Sequence, residues 1–549
     1  MNKIELGLPI LLLGTIIAGM KMTPLIQKLT PPQAQKIPKD VTVHQDTRID
    51  DYYWLKERDT QPVLDYLKAE NDYTFAKMKH TELLQKTLYN EMRGRIKEDD
   101  TTVPYKFGNY MYYTRTEENL QYDIYCRKLG NSSGAEEITL NMNDMAKKHD
   151  YIDLSAYKIS PNEKLLALTI DTSGAELHKL IIKNIKTGET LDDHLSNLDG
   201  SVEWANDNKT LFYTVLDKAH RSYQLWRHEL GSEQSDDVLV FQEDDDRFSV
   251  GLHRTKSGEF LKMDLESQIT TEVHLLDRND PFGEWKLVQP REQGVEYYVY
   301  HHGDYLYQIT NKDAINFKMI RTTLKGGKED EIIPNRDKTT LDNVSMFKNH
   351  MAVLERVNGN LEIRLFNFED ESWYNIEMNE DIYSLTFEDN YDWNSDFFRF
   401  GYGSFKTPYS VFDIDFKTHK KTLRKKEEIL GGYESENYVS ERIWAPTHDG
   451  KKLAITLLYK KGINLKGNNP CFLWGYGSYG ATYDPWLSSN IFSLVDRGMV
   501  YARAHIRGSS FMGRKWYLDG KLKQKKNTFE DFISAGRFLE NQGITSSGK

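Results

Sequence analysis

Residues 106 to 432 carry short runs of β-branched and aromatic residues, each introduced by a polar turn, which is the pattern of antiparallel strands. The residue before each of seven such runs is Asn109 (YMYYT), Lys164 (LLALT), Lys209 (TLFYT), Glu259 (FLKM), Asp304 (YLYQI), His350 (MAVLE) and Asp396 (FFRF). Successive spacings are 55, 45, 50, 45, 46 and 46 residues. A period in the mid-forties with several strands per unit is that of β-propeller blades, four-stranded sheets packed face to face. Seven phases predict seven blades.

The flanks follow other patterns. Thr60-Gln61-Pro62 offers a helix start, and Leu64, Leu67, Met78, Leu84, Leu88 and Met92 supply apolar positions for one or two amphipathic helices reaching about Ile96. Such a stripe needs a partner surface. After Gly431-Gly432, Tyr438 to Pro446 and Lys452 to Lys460 read as strands around the turn His448 to Lys451. Pro470 to Trp474 reads as a short buried strand entering the glycine-rich GYGSYG at 475 to 480. Leu487 to Arg497 reads as a helix and Met499 to Ile506 as an apolar strand. Asn527 with Glu530 marks the start of a further helix, which Gly543 stops. Strands alternating with helices predict a mostly parallel α/β sheet.

The plan is therefore a leader or signal segment over 1–35, an N-terminal helical segment over 36–105, a β-propeller over 106–432 and the N-terminal part of an α/β domain over 433–549. Leu6 to Ala18 has signal-peptide length, yet Glu5 offsets Lys3 and no small-x-small cleavage site follows. An export signal, a disordered leader and a later start at Met20 or Met22 all stay open, and with them a cytoplasmic or periplasmic location. The stretch is short for a membrane span, so no integral membrane role is expected.

Composition narrows the function. A formal charge of −11 disfavours nucleic acid as a partner, since such a surface repels phosphate. Only Cys126 and Cys471 occur, which excludes a disulfide framework and a cysteine-rich zinc site. The 15 His form no HExxH, so no metal and no cofactor are expected.

The order strand hairpin, β, glycine-rich loop, α, β, α is that of an opening α/β-hydrolase sheet, in which a G-x-S-x-G elbow follows on the next strand. No G-x-S-x-G occurs in the chain. DDYYWL at 50–55 is similar to the N-terminal signature of prolyl oligopeptidases, and WGYGSYG (474–480), DRGMVYARAHIRG (496–508) and GRKWYLDGKLKQKKNTFEDF (513–532) resemble the oligopeptidase B branch. The resemblance implies a serine oligopeptidase whose propeller covers a hydrolase active site and whose N-terminal helices pack on the hydrolase. Its substrates would be short peptides, cleaved after Lys or Arg. The alternative is a non-catalytic peptide-binding propeller module.

The resemblance also assigns residues. Tyr476 matches the tyrosine whose hydroxyl donates to the oxyanion, and Asp484 matches the first of two aspartates that hold a basic residue beside the scissile one. Trp486 stands at the second position, where a cation–π contact could replace an ion pair. HIRGSSF at 505–511 departs from the family's HIRGGGE, so a different loop geometry is expected there, and His505 reads as structural. Ser478 and Ser510 lack the elbow's glycines. The catalytic Ser, Asp and His, and the acidic pair that selects the scissile basic residue, are then expected beyond Lys549, leaving the chain inactive alone. A fragment, a split gene and an interrupted frame remain open.

Overall fold

The computed structural model describes residues 29–130 and 133–549, so the leader lies outside the described residues. The chain divides into two compact units, Met1–Asn90 and Glu91–Lys549.

The first unit opens with an antiparallel hairpin of Lys39–Val43 and Asp46–Asp50, absent from the sequence expectation. Its strands are exposed, with charged residues at half of their positions, and its turn uses His44 and Gln45 at φ 52° and 65° rather than the Asn-Gly that signals such turns. Helices follow over Gln61–Met78, with Pro62 in its first turn, and Glu82–Arg93. Their apolar stripe is more exposed than its pattern suggests: Val63 is buried, whereas Leu64, Leu67, Met78 and Leu84 are exposed.

The second unit contains the propeller. Five four-stranded antiparallel sheets and one seven-stranded sheet span Tyr105–Phe107 to Lys421–Lys426 among the described residues. The seven-stranded sheet is two blades sharing one long strand, Thr190–Trp204. Leu198 pairs with His178 on one side and Val215 on the other, and the register breaks between Leu198 and Val202. With that sheet divided there are seven blades. Every periodic run of the sequence is the second strand of its blade: Tyr110–Arg115, Leu165–Asp171, Thr210–Leu216, Phe260–Glu266, Tyr305–Thr310, His350–Val357 and Phe397–Gly403. A second strand is paired on both edges and packed on both faces, so it is largely apolar and largely buried. Leu166 to Asp171 are all buried.

Blades 1 and 7 are each one continuous stretch of chain, so no strand crosses the seam between them. Side chains close it instead. The rings of Tyr105 and Tyr391 lie 4.9 Å apart, Lys106 pairs with Asp392 at 2.9 Å, and Arg399 donates to the Pro104 carbonyl at 2.8 Å.

After the propeller comes a four-stranded sheet in the order Tyr438–Pro446, Lys452–Lys460, Val500–Ala504, Cys471–Gly475. Its first two pairings are antiparallel and the last is parallel, so this portion is mixed rather than mostly parallel. The opening hairpin supplies the first antiparallel pair, and its second strand makes the other with Val500–Ala504. The Cys471–Gly475 strand lies at the sheet edge with Phe472 exposed, so it is not buried as expected. The helix expected over Leu487–Arg497 shrinks to a 3-10 turn, Ser489–Ile491, and Phe492–Val495, because the chain up to Ser488 stays extended. A short helix, Arg514–Leu518, was not expected. The last helix, Lys526–Asn541, ends where Gly543 adopts φ 71°. Asn527 is not its cap; its side-chain amide donates to the Asp519 carbonyl at 2.9 Å. The helix packs Ala535 and Leu539 on Leu453, Ile455, Val500 and Ala502 of the sheet.

Candidate active site

The glycine-rich loop and the segment after Val500–Ala504 are bound to each other. Gly480 N–H donates to the Gly508 carbonyl and Ser510 N–H to the Gly480 carbonyl, both at 2.9 Å. Such closeness demands glycine: a Cβ at Gly477 would lie 2.4 Å from the Arg507 carbonyl oxygen, and one at Gly508 2.1 Å from the Gly477 oxygen.

Arg507 underlies both loops and is fully buried. Its guanidinium meets the carboxylate of Asp531, on the last helix, at 2.6 and 2.8 Å, and that of Asp449, in the hairpin turn, at 2.8 and 3.0 Å. These bonds hold the Asp449 carboxyl far below the usual carboxylate range. Thr528 Oγ1 donates to the Arg507 carbonyl at 2.9 Å. Sequence reasoning quoted Arg507, Asp449 and Asp531 inside motifs without joining them, because they are joined only across 58 and 24 residues of chain.

On this support stands Tyr476, 37% exposed, its ring edge-on to Tyr483 at 5.4 Å. Its hydroxyl makes no hydrogen bond among the described residues and is free to donate. Ser478 Oγ accepts from Lys525 Nζ at 2.6 Å, and Ser509 Oγ donates to the Ile506 carbonyl at 2.8 Å. Neither has a histidine partner.

Asp484 and Trp486 face the propeller. Both Asp484 oxygens accept from Arg356 of blade 6, at 2.7 and 2.9 Å. Trp486 packs on Tyr409 and Gly403 of blade 7, where a Cβ at Gly403 would lie 3.1 Å from its ring. Phe511, which replaces the family's acid, is fully buried and lies so close to Gly359 of blade 6 that a Cβ there would come within 2.5 Å. It stacks on His505 at 3.7 Å. His505 bonds Thr456 Oγ1 through Nε2 at 2.8 Å. Burial, reinforced by Arg442, Arg503 and Arg356, holds its pKa well below that of a free histidine. It is a neutral core residue, as its sequence context suggested. Arg442 spans the same contact, donating to Asn360 at 2.7 Å, and burial pushes its guanidinium down to about 10.

A propeller seated on a hydrolase sheet, with a tyrosine hydroxyl presented on a buttressed glycine loop, defines the serine oligopeptidase class. The family models agree: residues 32–427 match the prolyl oligopeptidase N-terminal β-propeller domain and residues 485–549 the prolyl oligopeptidase family. The chain belongs to the prolyl oligopeptidase family. It is 34% identical to Protease 2 of Moraxella lacunata, over 94% of this chain and 76% of that protein. It is 35% identical to Dipeptidyl aminopeptidase BI of Pseudoxanthomonas mexicana, over 98% of this chain and 78% of that protein. Oligopeptidase B from Leishmania major superposes with a TM-score of 0.89 at 31% identity, covering 94% of this chain and 77% of that one.

Proposed function

We propose that this chain carries the propeller and the oxyanion-side half of a peptidase acting on short peptides, cleaving after Lys or Arg, with Tyr476 as oxyanion donor. The free hydroxyl of Tyr476 on a loop fixed by the Arg507 cluster is the observation that carries this reading. A donor held rigidly where negative charge develops is worth about 10²- to 10³-fold in rate. The preference for basic residues draws on the likeness to Protease 2 and oligopeptidase B and on the net charge of −11.

The nucleophile is not among these 549 residues on this reading, since no serine has both an elbow and a histidine. The purified chain is expected to remain unlabelled by a fluorophosphonate probe. Covalent labelling of any serine in it would overturn this. The 35% identity with a dipeptidyl aminopeptidase favours a second reading, recognition of a free peptide N-terminus. Saturable binding of a Lys/Arg peptide that survives N-acetylation supports the endopeptidase reading, and binding lost on N-acetylation supports the other.

Asp484 and Trp486 are proposed to line the second subsite only if Arg356 yields the carboxylate to the substrate. Two readouts separate subsite from clamp. Asp484→Asn is expected to lower the unfolding midpoint, because it strips Arg356 of its bidentate partner. A subsite role adds a loss of about tenfold in affinity for a peptide with two basic residues over one with a single basic residue. An unchanged ratio leaves Asp484 as a clamp alone.

A further inference from the structure

The blades present their two ends differently. Turns between second and third strands, such as those holding Gly359 and Asn316, meet the hydrolase portion. Turns between first and second strands, holding Gly108, Pro161 and Gly258, gather at the opposite end around a cavity of ≈ 550 Å³.

Three basic side chains of this cavity form no ion pair among the described residues. The Arg254 guanidinium lies over the Phe107 ring, 4.9 Å from its centroid, and has neither a carboxylate nor a hydrogen-bond partner. Arg278 is 5% exposed; its Nε donates to the Trp204 carbonyl at 2.7 Å, while its Nη2 is buried with no partner. Lys256 Nζ sits 3.1 Å above the Phe347 ring and 3.1 Å from Ser345 Oγ, with no carboxylate in ion-pair contact and Asp392 acting on it only from farther off.

Two of the acids that share the lining are engaged by other residues. Glu203 is paired with Lys158, and Glu388 accepts from the Tyr409 hydroxyl. Burial raises the pKa of both Glu388 and Asp389, which favours their neutral forms. Burial also pushes Lys256 down to about 6 and Arg278 down to about 10, a cost that a bound anion would reverse. A buried guanidinium nitrogen left unpaired is expensive. An oxyanion accepting from it removes that cost and offsets the repulsion between Arg254 and Arg278.

We infer that this distal mouth of the propeller is a small-oxyanion site, in which Arg254, Arg278 and Lys256 bind either inorganic phosphate or the terminal carboxylate of a peptide. Charge-assisted hydrogen bonds from a guanidinium suit both ligands, and the Phe107 and Tyr391 rings beside them suit the chain of a peptide.

Calorimetric titration of the 549-residue protein with inorganic phosphate in chloride buffer tests this. One saturable site is expected, weakened about tenfold or more by Arg254→Met and by Lys256→Met. Neither variant removes a backbone or carboxylate contact, so both are expected to keep the parent's unfolding midpoint. If an N-blocked peptide with a free carboxylate displaces phosphate and its C-terminal amide does not, the ligand is a peptide terminus. If neither displaces it, the ligand is free phosphate. No saturable binding of either up to about 10 mM, or binding unchanged in both variants, overturns the proposal.

Discussion

Arg507→Met is expected to destabilise the hydrolase portion by about 3–5 kcal/mol, measured as a fall in the denaturation midpoint of its unfolding transition. Methionine keeps much of the volume and removes the charge, so the loss reports on the partners left behind. Asp531 has no exposed surface and would be a buried carboxylate without a counter-charge. Asp449 is 37% exposed and can turn to water. The double variant Arg507→Met/Asp531→Leu should therefore recover part of the loss, because an apolar pair substitutes for a buried ion pair at little cost while the backbone N–H at 507 loses its Asp531 acceptor. Recovery would show that the penalty was the stranded carboxylate. A double variant no better than the single would instead mean that Arg507's bonds hold the Gly477–Gly508 contact together.

Acid destabilisation starting near pH 6.5 is the second large effect. In the fold His505 is held neutral, with its pKa well below the unfolded value of about 6.5. Between the two values the unfolded chain binds a proton that the folded chain refuses. This contribution to stability is thus complete above pH 6.5 and is lost as pH falls below it, by up to about 1.4 kcal/mol per pH unit. His505→Gln, which keeps a polar partner for Thr456, should reduce the slope between pH 6.5 and the carboxylate range, leaving the share of His253, His301 and His350, which burial also holds down. A wild-type profile already flat there would overturn the account. Below about pH 4.5 Glu91 and Asp449 add to the decline, since Arg497 and Arg507 hold their folded pKa values down, Glu91's at about 2. Their contributions are present above the unfolded values and vanish as pH falls toward the folded ones.

The propeller was legible because its periodic signal falls on the second strand of every blade, an inner strand paired on both edges, where apolar content is favoured. The hairpin at 39–50 was illegible because exposed edge strands need no apolar alternation. The Leu487–Arg497 helix was over-read for the opposite reason. Its apolar residues satisfy a helical period, yet Trp486 is drawn onto Gly403 and the chain before Ser489 stays extended.

At the site, the amino-acid sequence alone determined the glycine loop with its tyrosine, the structural character of His505 and the departure at Phe511, since each lies within one contiguous motif. What those residues face was decided by the tertiary structure. Asp484 turns to Arg356, Trp486 to Gly403, Phe511 to Gly359 and Arg507 to two acids, partners that are 24 to 152 residues away in the chain. Charge and packing complementarity over such separations leaves no local spacing to read, because it is set by the surfaces that folding brings together.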